Sequence, residues 1–173
     1  MAIFIEAVDK NTLKACEYYK KPDLFNLVNY VLGSHCMGGY YLLLGIPMYG
    51  VTSEMIVNQF LEVRSRYGRE NNGTLAHHFI LSFSEQESKI LSVSEIFIIA
   101  KQICDKYFEG KYAVIAMHEN TNTLHLHFAI NSASYANGNV LSKYPYLEKM
   151  IGNEVTDEIR RKSETLIETL DRM

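Results

Sequence analysis

Three of the six histidines fall within ten residues, in the stretch AMHENTNTLHLHFAINSAS over residues 116–134. His125 and His127 alternate inside an apolar run. In an extended chain they share one face with Ala129, while Leu124, Leu126, Phe128 and Ile130 share the other. The polar NTNT between them and His118 is short enough to close a hairpin, which brings His118 toward His125. Three neutral imidazoles converging from adjacent strands make a seat for a divalent cation, with positions left for water or substrate. One alternate histidine would read as packing; three beside a tight polar turn point to chemistry. A zinc hydrolase would add a carboxylate base, and Glu119 is the candidate, but on a strand it faces away from His118. A different reacting group is needed.

The elements that must hold these residues are legible as a series. AIFIEAV opens as a strand. PDLFNLVNYVL follows with Leu24, Leu27, Val28 and Val31 at helical spacing behind a Pro22-Asp23 start. Residues 33–52 contain five glycines among apolar residues and read as a loop or short hairpin. SEMIVNQFLEVRSRYG is an amphipathic helix, with Ser53 as its expected cap and Gly68 as its stop. LAHHFILSFS is a strand, and SVSEIFIIAKQICDKYFEG is a helix capped by Ser92 or Ser94. YAVIAMHE and LHLHFAINSA form the histidine hairpin. Val155, Ile159, Leu166, Ile167 and Leu170 mark a terminal helix, expected within residues 150–173 and able to continue into a longer protein. The order predicts an α+β fold: residues 1–173 as one domain, with a central, mainly antiparallel sheet carrying the three-histidine site and helices packed on it.

Composition narrows the classes. A chain of 173 residues with 47% hydrophobic and 21% charged residues is globular and too apolar to be disordered. No run of about 18 apolar residues predicts a membrane span, and the N-terminus lacks the pattern of a secretory signal. Cys16, Cys36 and Cys104, odd in number and scattered, suggest reduced thiols in a cytoplasmic setting. A net charge of −3 argues against unspecific coating of nucleic acid but leaves room for a local basic groove.

The spacing H-x-N-x-x-x-x-H-x-H from His118 resembles the H-x-D-x-x-x-x-H-x-H motif of conjugative relaxases, the MobA-like and VirD2-like mobilisation nucleases of the HUH endonuclease group. LFNLVNYVL resembles their first motif, a helix carrying the nucleophilic tyrosine. HHFILSFS resembles their second, a strand whose serine contacts DNA beside the cut. The resemblance covers most of residues 1–146. It implies Tyr30 as nucleophile, Ser82 as a DNA contact and His118, His125 and His127 as metal ligands. Asn120 stands where the family has an aspartate that orients a ligand imidazole. The activity implied is strand-specific nicking at a transfer origin through a 5′-phosphotyrosyl intermediate, with Mg²⁺ or Mn²⁺ as cofactor. The partners implied are single-stranded DNA, relaxosome accessory proteins and a coupling protein, without membrane insertion.

Other residues compete for roles. Tyr18 and Tyr19 precede the first helix and are the nearest rivals of Tyr30. In a rolling-circle initiator or single-tyrosine transposase the tyrosine would follow the histidines, as Tyr135, Tyr144 or Tyr146 do. His78 shares a strand face with Ser82 and should line the cleft, while His77 points the other way. Arg64 and Arg66, with Arg69, Lys20 and Lys21, are candidate phosphate contacts. A relaxase-like module that only binds DNA, and a zinc hydrolase of small molecules, complete the alternatives.

Overall fold

Five strands, β1 (Ile3–Glu6), β2 (Cys36–Leu44), β3 (Ala76–Ser82), β4 (Lys111–His118) and β5 (His125–Ser134), form one sheet in the order β1-β3-β5-β4-β2. Every neighbouring pair is antiparallel. The computed structural model describes residues 1–7, 18, 20–33, 36–46, 52–70, 73–118, 123–141 and 146–171. Cys16, Tyr19, Glu119, Asn120 and Tyr144 lie outside the described residues. The α+β reading, with the histidines carried by a central antiparallel sheet, is what the chain adopts.

β5 is buried at all ten positions because helices cover both faces of the sheet. One face carries the large apolar residues Phe79, Leu81, Ile115, Met117, Leu126, Phe128 and Ile130. They pack against α4 (Val93–Tyr107) and α5 (Leu147–Asp171) through Ile96, Ile99, Ile103, Ile151 and Val155. At roughly 1.5–3 kcal/mol for each such side chain removed from water, this layer is the main source of stability. The opposite face carries small residues, Ala76, Val114, Ala116 and Ala129, beneath α1 (Lys21–Leu32) and α2 (Ser53–Arg66). Small side chains let α1 lie close to the strands, where its Leu24, Leu27, Val28 and Val31 are buried. A short helix, α3 (Glu85–Ile90), links β3 to α4 and was not expected from the sequence.

Three boundaries differ from expectation. The glycine-rich segment read as a loop or hairpin is the edge strand β2, paired with β4. The register shifts between Cys36 and Tyr41, where Gly38 and Gly39 take φ of 54° and 73°. Glycine tolerates the left-handed backbone of a bulge, and an edge strand tolerates the interruption. Thr52, not Ser53, caps α2, its hydroxyl accepting from the Met55 N–H at 3.2 Å. α5 begins at Leu147, ahead of the predicted helix. Ser92 caps α4 as expected, in a reciprocal box with Glu95.

Candidate active site

Register places the histidines. His118 on β4 pairs with His125 on β5, and Ala116 with His127, so all three imidazoles emerge on the α1 face. Each offers a nitrogen within 4.8 Å of the others. Their ring centroids lie 4.3 Å (His118–His127), 5.0 Å (His125–His127) and 5.8 Å (His118–His125) apart.

The remaining nitrogens have assigned work. His118 Nε2–H donates to the Val31 carbonyl at 2.8 Å. That carbonyl belongs to the last turn of α1, where main-chain acceptors lack a helical donor, so the end of the helix fixes the tautomer and puts the lone pair on Nδ1. His125 Nδ1–H donates to the Thr123 carbonyl at 3.2 Å, which puts its lone pair on Nε2. His127 Nδ1 meets Nε2 of His78 at 2.8 Å, and the Tyr18 hydroxyl reaches Nδ1 of His78 at 3.1 Å. Burial, reinforced by repulsion from neighbouring histidines, pushes His127 down to about 2 and His78 to about 4. Both rings are therefore neutral at pH 7, the form that coordinates metal. Three converging imidazoles, two of them with the outer nitrogen donating to a main-chain carbonyl and the third against His78, fit a divalent cation, and imidazole favours transition ions over Mg²⁺.

α1 lays Tyr30 across this cluster. Its ring centroid is 5.0 Å from that of His127, 5.4 Å from His118 and 5.9 Å from His78. Its hydroxyl lies 3.5 Å from His127 Nε2. Tyr30 remains 43% exposed, so the phenol faces the cluster on one side and solvent on the other. Partial burial pushes its pKa above the ordinary value, so the hydroxyl needs a nearby positive charge to react as an oxyanion.

Three of the rival tyrosines, Tyr18, Tyr135 and Tyr146, lie among the described residues. Tyr18 meets His78. Tyr135 follows β5 eight residues beyond His127, about 26 Å at the usual rise per strand residue, and stacks on Tyr112. Tyr146 stands at the start of α5, 76% exposed. Ser82 pairs with His125 in register and shares the site face.

Two expectations change. Arg64, read as a phosphate contact, is 1% exposed, with its guanidinium donating to the Thr74 carbonyl, the Ser132 hydroxyl and the Arg69 carbonyl. It ties the end of α2 to the turn before β3 and has no surface left for DNA. Arg66 is exposed and pairs with Glu62 at 3.0 Å. Lys21 reaches Asn58 at 3.0 Å. His78, expected to line the cleft, is 6% exposed and engaged from both ring nitrogens. The sequence put His78 on the site face by alternation, but only register brings it against His127. His77 faces the other layer, as expected, where Nδ1 meets Glu6 at 2.9 Å.

A comparison with curated proteins gives no match. A solved structure described as "Molecular Basis of Vancomycin Resistance Transfer in Staphylococcus aureus" aligns over 94% of this chain and 88% of its own. The identity is 16% and the TM-score 0.47. The family model described as "Relaxase: MobA/VirD2-like, nuclease domain" matches residues 39–164. That span includes His78, Ser82 and all three clustered histidines, and it begins after Tyr30. With well over half of the chain matched and the histidine cluster inside the match, the chain belongs to the MobA/VirD2-like relaxase family, as a nuclease domain.

Proposed function

We propose that this chain is a site- and strand-specific DNA nickase that opens single-stranded DNA at a transfer origin to begin conjugative transfer or mobilisation. The observation that carries this reading is the Tyr30 hydroxyl, 3.5 Å from His127 Nε2 above three converging histidines. In the reaction, the Tyr30 oxygen attacks the scissile phosphorus in line. An O–P bond forms to the phenol as the bond to the 3′ oxygen breaks, leaving a 5′-phosphotyrosyl link and a free 3′-hydroxyl. The phenol loses one proton and the 3′ oxygen gains one, so the exchange is reversible. His118, His125 and His127 would hold a divalent ion, Mn²⁺ or Mg²⁺. When bound, it supplies positive charge beside the phosphate oxygens as negative charge builds in the transition state. Ser82, beside His125, would position the strand, and exposed Arg66 would contact backbone phosphate. Asn120 would take the sequence position of the family's aspartate without its charge. Accessory relaxosome proteins and a coupling protein are the partners this role requires. No helix among the described residues is long and apolar enough to cross a membrane.

The test is a covalent adduct. Single-stranded oligonucleotides tiled across the DNA around the encoding gene, incubated with the protein and Mn²⁺, should yield a protein–DNA species on denaturing gels. Tyr30→Phe should abolish that species and keep DNA binding. An adduct that persists in Tyr30→Phe and disappears in Tyr18→Phe would reassign the nucleophile.

A further inference from the structure

Two of the three clustered histidines have their outer nitrogen against a main-chain carbonyl, which can only accept, so their tautomers are fixed. His127 differs: its Nδ1 faces another imidazole, Nε2 of His78, across 2.8 Å in the interior. An imidazole nitrogen can donate or accept. One proton occupies that contact, and the immediate neighbour does not dictate which ring carries it. On the other side of His78, Nδ1 meets the Tyr18 hydroxyl at 3.1 Å, a group that can also donate or accept, so the row Tyr18–His78–His127 has two proton orders. If His78 Nδ1–H donates to the Tyr18 oxygen, its Nε2 accepts from His127 Nδ1–H, and His127 Nε2 turns a lone pair toward the cluster. With every proton reversed, Nε2–H points into the cluster and His127 cannot be a ligand.

We infer that His78 and Tyr18 are positioning residues: together they hold His127 in the tautomer that presents its Nε2 lone pair beneath Tyr30. His78 is 6% exposed, packed edge-on to Tyr18 at 6.3 Å between centroids and tilted on His127 at 5.1 Å. Tyr18 is itself anchored, its carbonyl accepting from the Leu75 N–H at 2.7 Å just before β3. His78 thus reaches His127 from β3, and Tyr18, tied to the residue just before that strand, backs His78. This assignment moves His78 from DNA contact to support of the ion site and gives Tyr18 a task other than a second nucleophile. It rests on the proposed reading of the histidines as ligands.

Two measurements test it without DNA. In the metal-free protein, ring ¹⁵N shifts should show His127 protonated on Nδ1 and His78 also on Nδ1; His127 protonated on Nε2 overturns the inference. In calorimetric titration with Mn²⁺, His78→Phe keeps the ring's bulk without an acceptor and should weaken binding about 10–100-fold. Tyr18→Phe should weaken it less. His78→Gln, whose amide oxygen can accept from His127, should recover most of the loss even if His78→Phe is poorly folded. Equal Mn²⁺ affinity in wild type, His78→Phe and Tyr18→Phe overturns the inference. A wild type that has the expected tautomers and binds Mn²⁺, yet forms no DNA adduct, would leave this inference standing and sink the nickase reading.

Discussion

Tyr30 and Arg64 show how little residue type alone decides. Both sit on helices of one layer, yet Tyr30 is half open over the histidines and Arg64 is sealed. Arg64→Ala should cost about 2–4 kcal/mol in urea unfolding, because Ser132 and two carbonyls lose a charged donor in the interior. DNA affinity of the folded fraction should not change. Arg66→Ala should cost under about 0.5 kcal/mol, as exposed helix pairs do, while weakening DNA binding. The opposite pattern would restore Arg64 as the contact. At Asn120, the outer nitrogens of all three histidines already meet Val31, Thr123 and His78. Asn120→Asp should therefore act mainly by adding charge, and tighten Mn²⁺ by less than the roughly 10–100-fold of a new oriented acceptor. Calorimetry on the two proteins reads this directly, and a gain at the top of that range would mean residue 120 orients a ligand.

At the scale of elements, the end of α1 and the edge of the sheet meet at His118. The helix supplies the Val31 carbonyl to that ring, and β2 sets Cys36 opposite it. The bulge at Gly38 should therefore matter to function as well as to folding. A Cβ there would meet the Tyr40 ring at 2.9 Å on a backbone of φ 54°. Gly38→Val should cost roughly 1–3 kcal/mol from backbone strain and reduce nicking beyond the fraction unfolded, by disturbing the β2–β4 register beside His118. Nicking that falls only in step with the folded fraction, measured by circular dichroism, would show that the edge strand is scaffold alone.

Across the whole molecule, the proposed ion site joins pieces distant in the chain: α1 through Val31 and Tyr30, β3 through His78, and the β4–β5 hairpin through the three clustered histidines. An ion that binds only this assembled form should stabilise the entire domain, by about 2.7 kcal/mol at 100 times its dissociation constant. Thermal unfolding with and without Mn²⁺ should show that shift, and a chelator should erase it. His125→Ala and His127→Ala should show no shift while still unfolding cooperatively. A Mn²⁺ shift retained in either variant would remove that residue from the ligand set.

The sequence by itself determined the strand faces, because alternation on LHLHFAI separates histidines from the apolar residues beneath α4 and α5 by geometry alone. It also determined most of the helices, since buried faces at 3.6-residue spacing and side-chain caps are local properties. The histidine cluster was readable from its spacing, and Tyr30 was picked out only by the resemblance of LFNLVNYVL. What it could not carry was pairing. β2 was hidden because its glycines obey the needs of a bulge against β4, a partner some 70 residues away. Arg64 looked solvent-facing because its acceptors, in Arg69, Thr74 and Ser132, all lie beyond the end of its helix. His78 met the histidines only when register set β3 against β5, and Tyr18 only through its contact with His78. Periodicity is written residue by residue, but the partner of a polar group in the interior depends on which strands adjoin, and only the tertiary fold makes that choice.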